Sequence, residues 1–169
     1  MEWIVTECMV AAGCQLEVSA ALIGEDVLLC LQGGERPHLG CVVQTEPRVS
    51  LSGDGSVSAT SSVLNFPGHK DEVICRWMAE KVSGELNRRV ICTGGFHKDG
   101  ISAEEIREVQ ESVGRLTECV IRRLQVSPDG INRITRTYLI ESHSTEYIPG
   151  RHLSTILIST QSGRCIEIK

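Results

Sequence analysis

Aromatic residues make up only 4% of this chain, so any core it builds must be aliphatic, drawn from Val, Ile and Leu. The hydrophobic fraction of 41% over 169 residues is still ordinary for a globular chain with a substantial core. Long apolar runs are missing: no segment approaches the roughly 20 residues of a membrane-spanning helix. Basic stripes are missing too. The formal charge of −5 argues against nucleic acid as a partner, and Arg88-Arg89 and Arg122-Arg123 are short enough to be solvated helix ends. None of the eight cysteines forms a CxxC pair, which removes zinc ribbons and redox dithiols. Most of them lie in apolar runs such as Leu28-Leu29-Cys30-Leu31, and the N-terminus lacks a basic region followed by a long apolar stretch. The expectation is a cytoplasmic protein whose cysteines are reduced, buried small hydrophobes.

Residues 15–22 alternate, with Leu16, Val18, Ala20 and Leu22 on one face of a half-buried strand. A turn at Gly24-Glu25-Asp26 returns the chain through an apolar strand at 27–31, completing a hairpin. A third strand runs over 40–44 and ends by Pro47. The Ser/Gly-rich residues 50–62 form a surface loop, contact a polar ligand such as phosphate, or pair in part as an edge strand. An amphipathic helix is expected from Lys70 to about Leu86, with Val73, Ile74, Trp77, Met78 and Val82 sharing a face. A short strand follows at 89–93. Ser102-Ala103-Glu104-Glu105 is a capping-box signature opening a long helix that carries Ile106, Val109, Val113, Leu116, Val120 and Leu124. Beyond Gln125, a turn at Pro128-Asp129-Gly130 precedes strand-like residues 134–140, and 155–159 with 164–168 read as a hairpin. The order βββ-α-β-α-ββ(β) predicts a single α+β domain over 1–169: a mainly antiparallel sheet with two helices packed on one face, and extra C-terminal strands over about 125–169.

Chemistry concentrates in three Gly/Pro-flanked histidine segments. These are Gly33-Gly34-Glu35-Arg36-Pro37-His38-Leu39-Gly40, Pro67-Gly68-His69-Lys70-Asp71-Glu72 and Gly94-Gly95-Phe96-His97-Lys98-Asp99-Gly100. Each borders a regular element, so together they read as one site assembled from three parts of the chain. His69 and Lys70 open a helix, where free N–H groups and a lysine charge suit an anion. Asp71 and Glu72 in the first turn compete for that same helix end. Phe96 is a stacking surface or a core plug; His97 and Asp99 are metal ligands or an acid–base pair. His143 and His152 lie among Ser and Thr and read as solvated.

In this order, Gly-Gly-x-x-Pro-His-Leu-Gly, Gly-His-Lys-Asp-Glu and Gly-Phe-His-x-Asp-x-Ile resemble the prenylated-flavin chaperone family. That family includes the small D subunit of bacterial gallate and hydroxyarylic-acid decarboxylases. The resemblance covers about 15–124. It implies a fold like that of proteasome assembly chaperones, homodimers, and a non-catalytic accessory role, with prenylated FMN (or FMN) bound and supplied to UbiD-type decarboxylases alongside the flavin prenyltransferase. Carried onto this chain, it places His38, His69, Lys70 and His97 around the cofactor, with Gly33, Gly34, Gly68 and Gly95 permitting close backbone approach. Lys70 and the helix start would hold the phosphate, Phe96 or Trp77 would face the ring system, and Asp99 would orient His97 or hold a divalent metal bridging to phosphate. The tail from 125 carries none of the motif. Two other readings remain open: an interaction or assembly chaperone without a small ligand, and a metal-dependent hydrolase or lyase ligated by His38, His69 and His97.

Overall fold

The computed structural model describes residues 1–126, 136–138, 156–159 and 165–168. Strands β1 (Val5–Ala11), β2 (Cys14–Ile23), β3 (Asp26–Gly34), β4 (Cys41–Val49) and β5 (Val57–Asn65) come first. Helix α1 (Glu72–Leu86), strand β6 (Val90–His97) and helix α2 (Ala103–Gln125) follow. Short strands β7 (Arg136–Tyr138), β8 (Ile156–Ser159) and β9 (Cys165–Ile168) lie in the tail. The main sheet has the order β5-β4-β6-β3-β2-β1-β7, and β8 pairs with β9 separately. Pairing is antiparallel for β1–β2, β2–β3, β4–β5 and β4–β6, and parallel for β3–β6 and β1–β7. The fold is therefore α+β with a mainly antiparallel sheet, as the sequence predicts.

The register explains the core. Leu29 of β3 lies opposite Ala20 on one side and Cys92 on the other, and Cys92 lies opposite Val43, so a continuous apolar row crosses the sheet. All four are fully buried. Onto this face α1 packs across β4, β5 and β6, while α2 packs across β1 and β2, and the helices touch each other. Met78 and Val82 of α1 and Val113, Leu116 and Val120 of α2 complete an aliphatic core. Cys14, Cys30, Cys41, Cys75, Cys92 and Cys119 are free thiols, and Cys41, Cys75 and Cys92 are buried, as is Cys8, whose thiol donates to Glu17 Oε2 at 3.3 Å. The Cys41 thiol is pushed well above its ordinary range by its hydrogen bond with Cys75 and by burial, which keeps it a neutral core group.

Several expectations are corrected. Strand β1 is not signalled by simple apolar alternation, because Glu7 occupies an inward position opposite Val18. Burial there raises the Glu7 carboxyl above its ordinary range, against the pull of Arg123, whose Nε–H donates to Glu7 Oε1 at 3.2 Å. The stretch expected as a half-buried strand is buried on both faces from Leu16 to Ala21. Pro47 does not end its strand: β4 continues to Val49, with Pro47 opposite Ala59. It is tolerated because β4 pairs with β6 only as far as Thr45, beyond which one side of the strand needs no donor. Of the Ser/Gly-rich stretch, residues 57–62 form the start of β5, the edge-strand alternative. The α1 stripe is rotated: Cys75, Met78, Ala79, Val82 and Ser83 are buried, whereas Val73 and Trp77 are exposed. Strand β6 extends to His97, four residues beyond its expected end. Helix α2 starts where its signature places it, with both halves of the capping box formed. The expected turns at 128–130 and 161–163, and both tail histidines, lie outside the described residues.

Candidate functional site

The parallel pair β3–β6 ends at one place, with Gly34 opposite His97. The chain leaving β3 carries Arg36 and His38 into β4, and the start of α1 brings His69, Lys70 and Asp71 to the same end. The three histidine segments do meet: the His38 and His69 rings are 4.5 Å apart between centroids, and His38 meets His97 edge-on at 6.0 Å.

Asp71 organises the centre, although it sits in the first turn of a helix where sequence logic assigns it to capping. It occupies the N-cap position of α1 in a helical conformation and makes no side-chain cap. Its Oδ1 accepts from the Phe96 backbone N–H at 2.9 Å, and its Oδ2 lies 3.1 Å from His38 Nε2 and 3.6 Å from His69 Nδ1. The carboxylate is 8% exposed. Two glycines make room for it. A Cβ on Gly40 would stand 2.1 Å from Asp71 Oδ2, and one on Gly95 would stand 2.7 Å from His38 Nε2 and 2.8 Å from Asp71 Cγ. Only residues without a Cβ fit beside this carboxylate.

A second cluster surrounds Asp99. His97 Nε2–H donates to Asp99 Oδ1 at 2.8 Å, and Arg36 pairs with Asp99 Oδ2. The His97 hydrogen bond and the Arg36 charge hold the Asp99 carboxyl below its ordinary range. The Asp99 N–H donates to Glu35 Oε2 at 3.1 Å and the Glu35 N–H to the His97 carbonyl at 2.7 Å, so the two loops are laced together. Gly34 makes that approach possible: its φ is +84°, and a Cβ there would stand 2.0 Å from the His97 carbonyl oxygen.

The other singled-out residues divide. Lys70 is exposed, its carbonyl accepts from the Val73 N–H at 3.5 Å, and no hydrogen bond or ion pair engages its side chain among the described residues. Gly68 is exposed with open space around its Cβ position. The Phe96 ring sits over Gly33, whose Cβ would stand 2.8 Å from Phe96 Cδ2, and packs against the core. Trp77 lies beside Gly114 in the cleft between the helices. Phe66 is exposed, and its backbone borders the site: its N–H donates to the Gly40 carbonyl at 3.0 Å and its carbonyl accepts from the His69 N–H at 3.3 Å.

Residues 11–125 match the family model of the prenylated flavin chaperone LpdD-like domain. The chain belongs to that family. All three histidine segments fall inside the matched span, and the family is one of chaperones, which act on a partner. The chain is 27% identical to Protein LpdD of Lactiplantibacillus plantarum over 122 residues, 69% of this chain and 82% of the relative. It is also similar to a chain in the crystal structure of a chaperone complex for yeast 20S proteasome assembly, at 19% identity and a TM-score of 0.42, over 72% of this chain and 93% of that one. No helix among the described residues is long and apolar enough to cross a membrane.

Three members of the site have no ligand role assigned from sequence: Asp71, which is assigned there to the helix end, Gly40 and Arg36. A usable signal existed for Gly40, since a glycine directly before a strand invites a close neighbour. Asp71 offered none, because an aspartate at a helix start is ordinarily explained by the helix itself.

Proposed function

We propose that this chain is a non-catalytic accessory protein that binds prenylated FMN and carries or matures it for a UbiD-type decarboxylase. It would work in the cytoplasm, as a homodimer, after the flavin prenyltransferase has made the cofactor. The observation that carries this reading is the convergence of His38, His69 and His97 at the uncapped start of α1. Because Asp71 turns away to the Phe96 amide, no side chain caps the first N–H groups of α1, and the exposed Lys70 stands beside them. That arrangement suits a phosphate. The three imidazoles offer hydrogen bonds to the polar edge of a flat ring system, and Phe66 offers it an apolar face. The tight glycine contacts at Gly34, Gly40 and Gly95 fix these groups before any ligand arrives, which lowers the ordering cost of binding. Prenylated FMN supplies the reactive group of the decarboxylase; the residues here hold and screen it.

The test is a titration of the purified chain with FMN and with enzymatically made prenylated FMN, followed by flavin absorbance and fluorescence. Preferential binding of the prenylated form, weakened about tenfold or more by Lys70→Ala or His69→Ala, is the expected result. If neither flavin binds, the reading fails. The chain would then be an interaction module, for which the outer edge of β5, unpaired among the described residues, and the exposed Leu64, Val73 and Trp77 provide surface.

A further inference from the structure

We propose that His38 Nε2, His69 Nδ1 and Asp71 Oδ2 are the protein ligands of a divalent transition metal of the zinc type. The inference goes beyond the flavin reading and does not need it. These three atoms all lie within 4.8 Å of one another. A tetrahedral ion with bonds of about 2.0–2.1 Å separates its ligand atoms by roughly 3.3–3.4 Å. The Asp71 oxygen lies 3.1 Å from one imidazole nitrogen and 3.6 Å from the other, on either side of that value.

The supporting hydrogen bonds decide what the atoms present. His38 Nδ1 lies 3.2 Å from the Arg36 carbonyl oxygen. A carbonyl only accepts, so Nδ1 carries the proton and Nε2 presents a lone pair toward Asp71. Two electron-pair donors facing each other at 3.1 Å repel unless a cation lies between them. A proton on Nε2 would satisfy that one pair. The His69 nitrogen, aimed at the same carboxylate oxygen, would need a proton of its own. One metal ion satisfies all three atoms. Asp71 is braced in the manner of a ligating carboxylate, with Oδ1 occupied by the Phe96 N–H and Oδ2 left for the ion.

Chemistry and access agree with this. Two imidazoles and one carboxylate suit zinc, manganese or iron rather than calcium or magnesium, which favour all-oxygen shells. The carboxylate is 8% exposed, while the His38 and His69 side chains are 20% and 36% exposed, so an ion can enter from the histidine side. Three protein ligands leave a coordination position for water or an anionic oxygen. The set differs from a three-histidine site, because His97 is turned to Asp99.

The experiment uses the full chain, stripped with a chelator and free of flavin, titrated with cobalt(II) and zinc(II). Visible cobalt absorbance and competition against a chromogenic zinc chelator are the readouts. The expected result is on the order of one ion per chain, with affinity falling about 10- to 100-fold in His69→Ala and Asp71→Asn. His69→Ala is the decisive variant, since its half-exposed side chain can be lost without harming the fold, which circular dichroism checks. Absence of stoichiometric binding overturns the proposal, as does binding that His69→Ala leaves unchanged. An equal loss in His97→Ala, with Asp71→Asn unaffected, overturns this ligand set in favour of three histidines. Flavin binding is measured separately on the chelated chain, so either reading can fail while the other stands.

Discussion

Replacing Gly95 by alanine puts a methyl group against the carboxylate that organises the site. The new Cβ would stand 2.7 Å from His38 Nε2, 2.8 Å from Asp71 Cγ and 2.9 Å from Asp71 Oδ1. Ordinary contacts begin at about 3.4 Å, so something must move by roughly half an ångström or more. Asp71 cannot simply retreat. Its Oδ1 is bonded to the N–H of Phe96, the residue directly after the substitution, and Gly40 closes the opposite side. Relief therefore requires breaking a hydrogen bond to a buried carboxylate, about 1.5–3 kcal/mol, or pushing strand β6 out of register with β3 and β4, about 1–3 kcal/mol. A loss near 3 kcal/mol lowers the melting temperature of a chain this size by roughly 6–12 °C. The matched control is Gly114→Ala in α2, where the new Cβ meets only Trp77 Cη2 at 3.7 Å. Removing an interior helix glycine there should raise stability by up to about 1 kcal/mol. Thermal and urea unfolding of both variants test the pair. A Gly95→Ala chain melting within about 1 °C of wild type would refute the packing argument, since no alanine can share that space with Asp71 as placed.

Two further outcomes follow from the helix packed on β1. Ser102→Ala removes the Ser102 Oγ that accepts from the Glu105 N–H at 3.2 Å, and should cost about 1 kcal/mol in urea unfolding; no change would mean α2 does not depend on its cap. Glu7 carries a pH signature: its folded carboxyl titrates above the ordinary value of 4.5, so the folded chain holds a proton that the unfolded chain has already released. Its contribution therefore weakens as pH rises through the interval above 4.5, and the stability of wild type relative to Glu7→Gln should fall across that interval. A difference that stays flat with pH would refute the burial argument.

The elements most legible in the sequence are those whose local and tertiary demands agree. In α2, capping box, period and buried face all coincide, from Ser102 to Leu124. In α1 they diverge. The residues facing the sheet include Cys75, Ala79 and Ser83, spaced four apart and small enough to let the helix approach closely, while the larger Val73 and Trp77 point outward. A reading weighted by side-chain hydrophobicity follows the larger residues and rotates the stripe. Strand β1 was obscured by a single inward acid whose arginine partner is 116 residues away. No local pattern encodes that pairing. Strand β5 was obscured by composition, because serine, threonine and alanine serve an edge strand as well as they serve a loop.

For the site, convergence of the histidines was legible because glycine and histidine recur at element ends, whereas the group that holds them together was not. Asp71 has two local amides within reach of its role as a cap, and a cap is worth about 1 kcal/mol. It turns instead to the Phe96 amide and the two imidazoles, and the preference is steric as much as electrostatic. Gly40 and Gly95 open a slot at the ends of β4 and β6 that only a short carboxylate fills. Once there, it accepts the half-buried Phe96 N–H, and a hydrogen bond to an ionised carboxylate is worth about 1.5–3 kcal/mol, more than the cap returns. The consequence falls on both ends of the side chain. Its departure leaves the start of α1 uncapped beside Lys70, where an anion is stabilised, and its arrival gives His38 and His69 a common negative partner, where a cation is stabilised. One aspartate thus separates an anion-favouring position from a cation-favouring one within a single turn of helix, a polarity suited to a phosphate-bearing ligand and a metal held side by side.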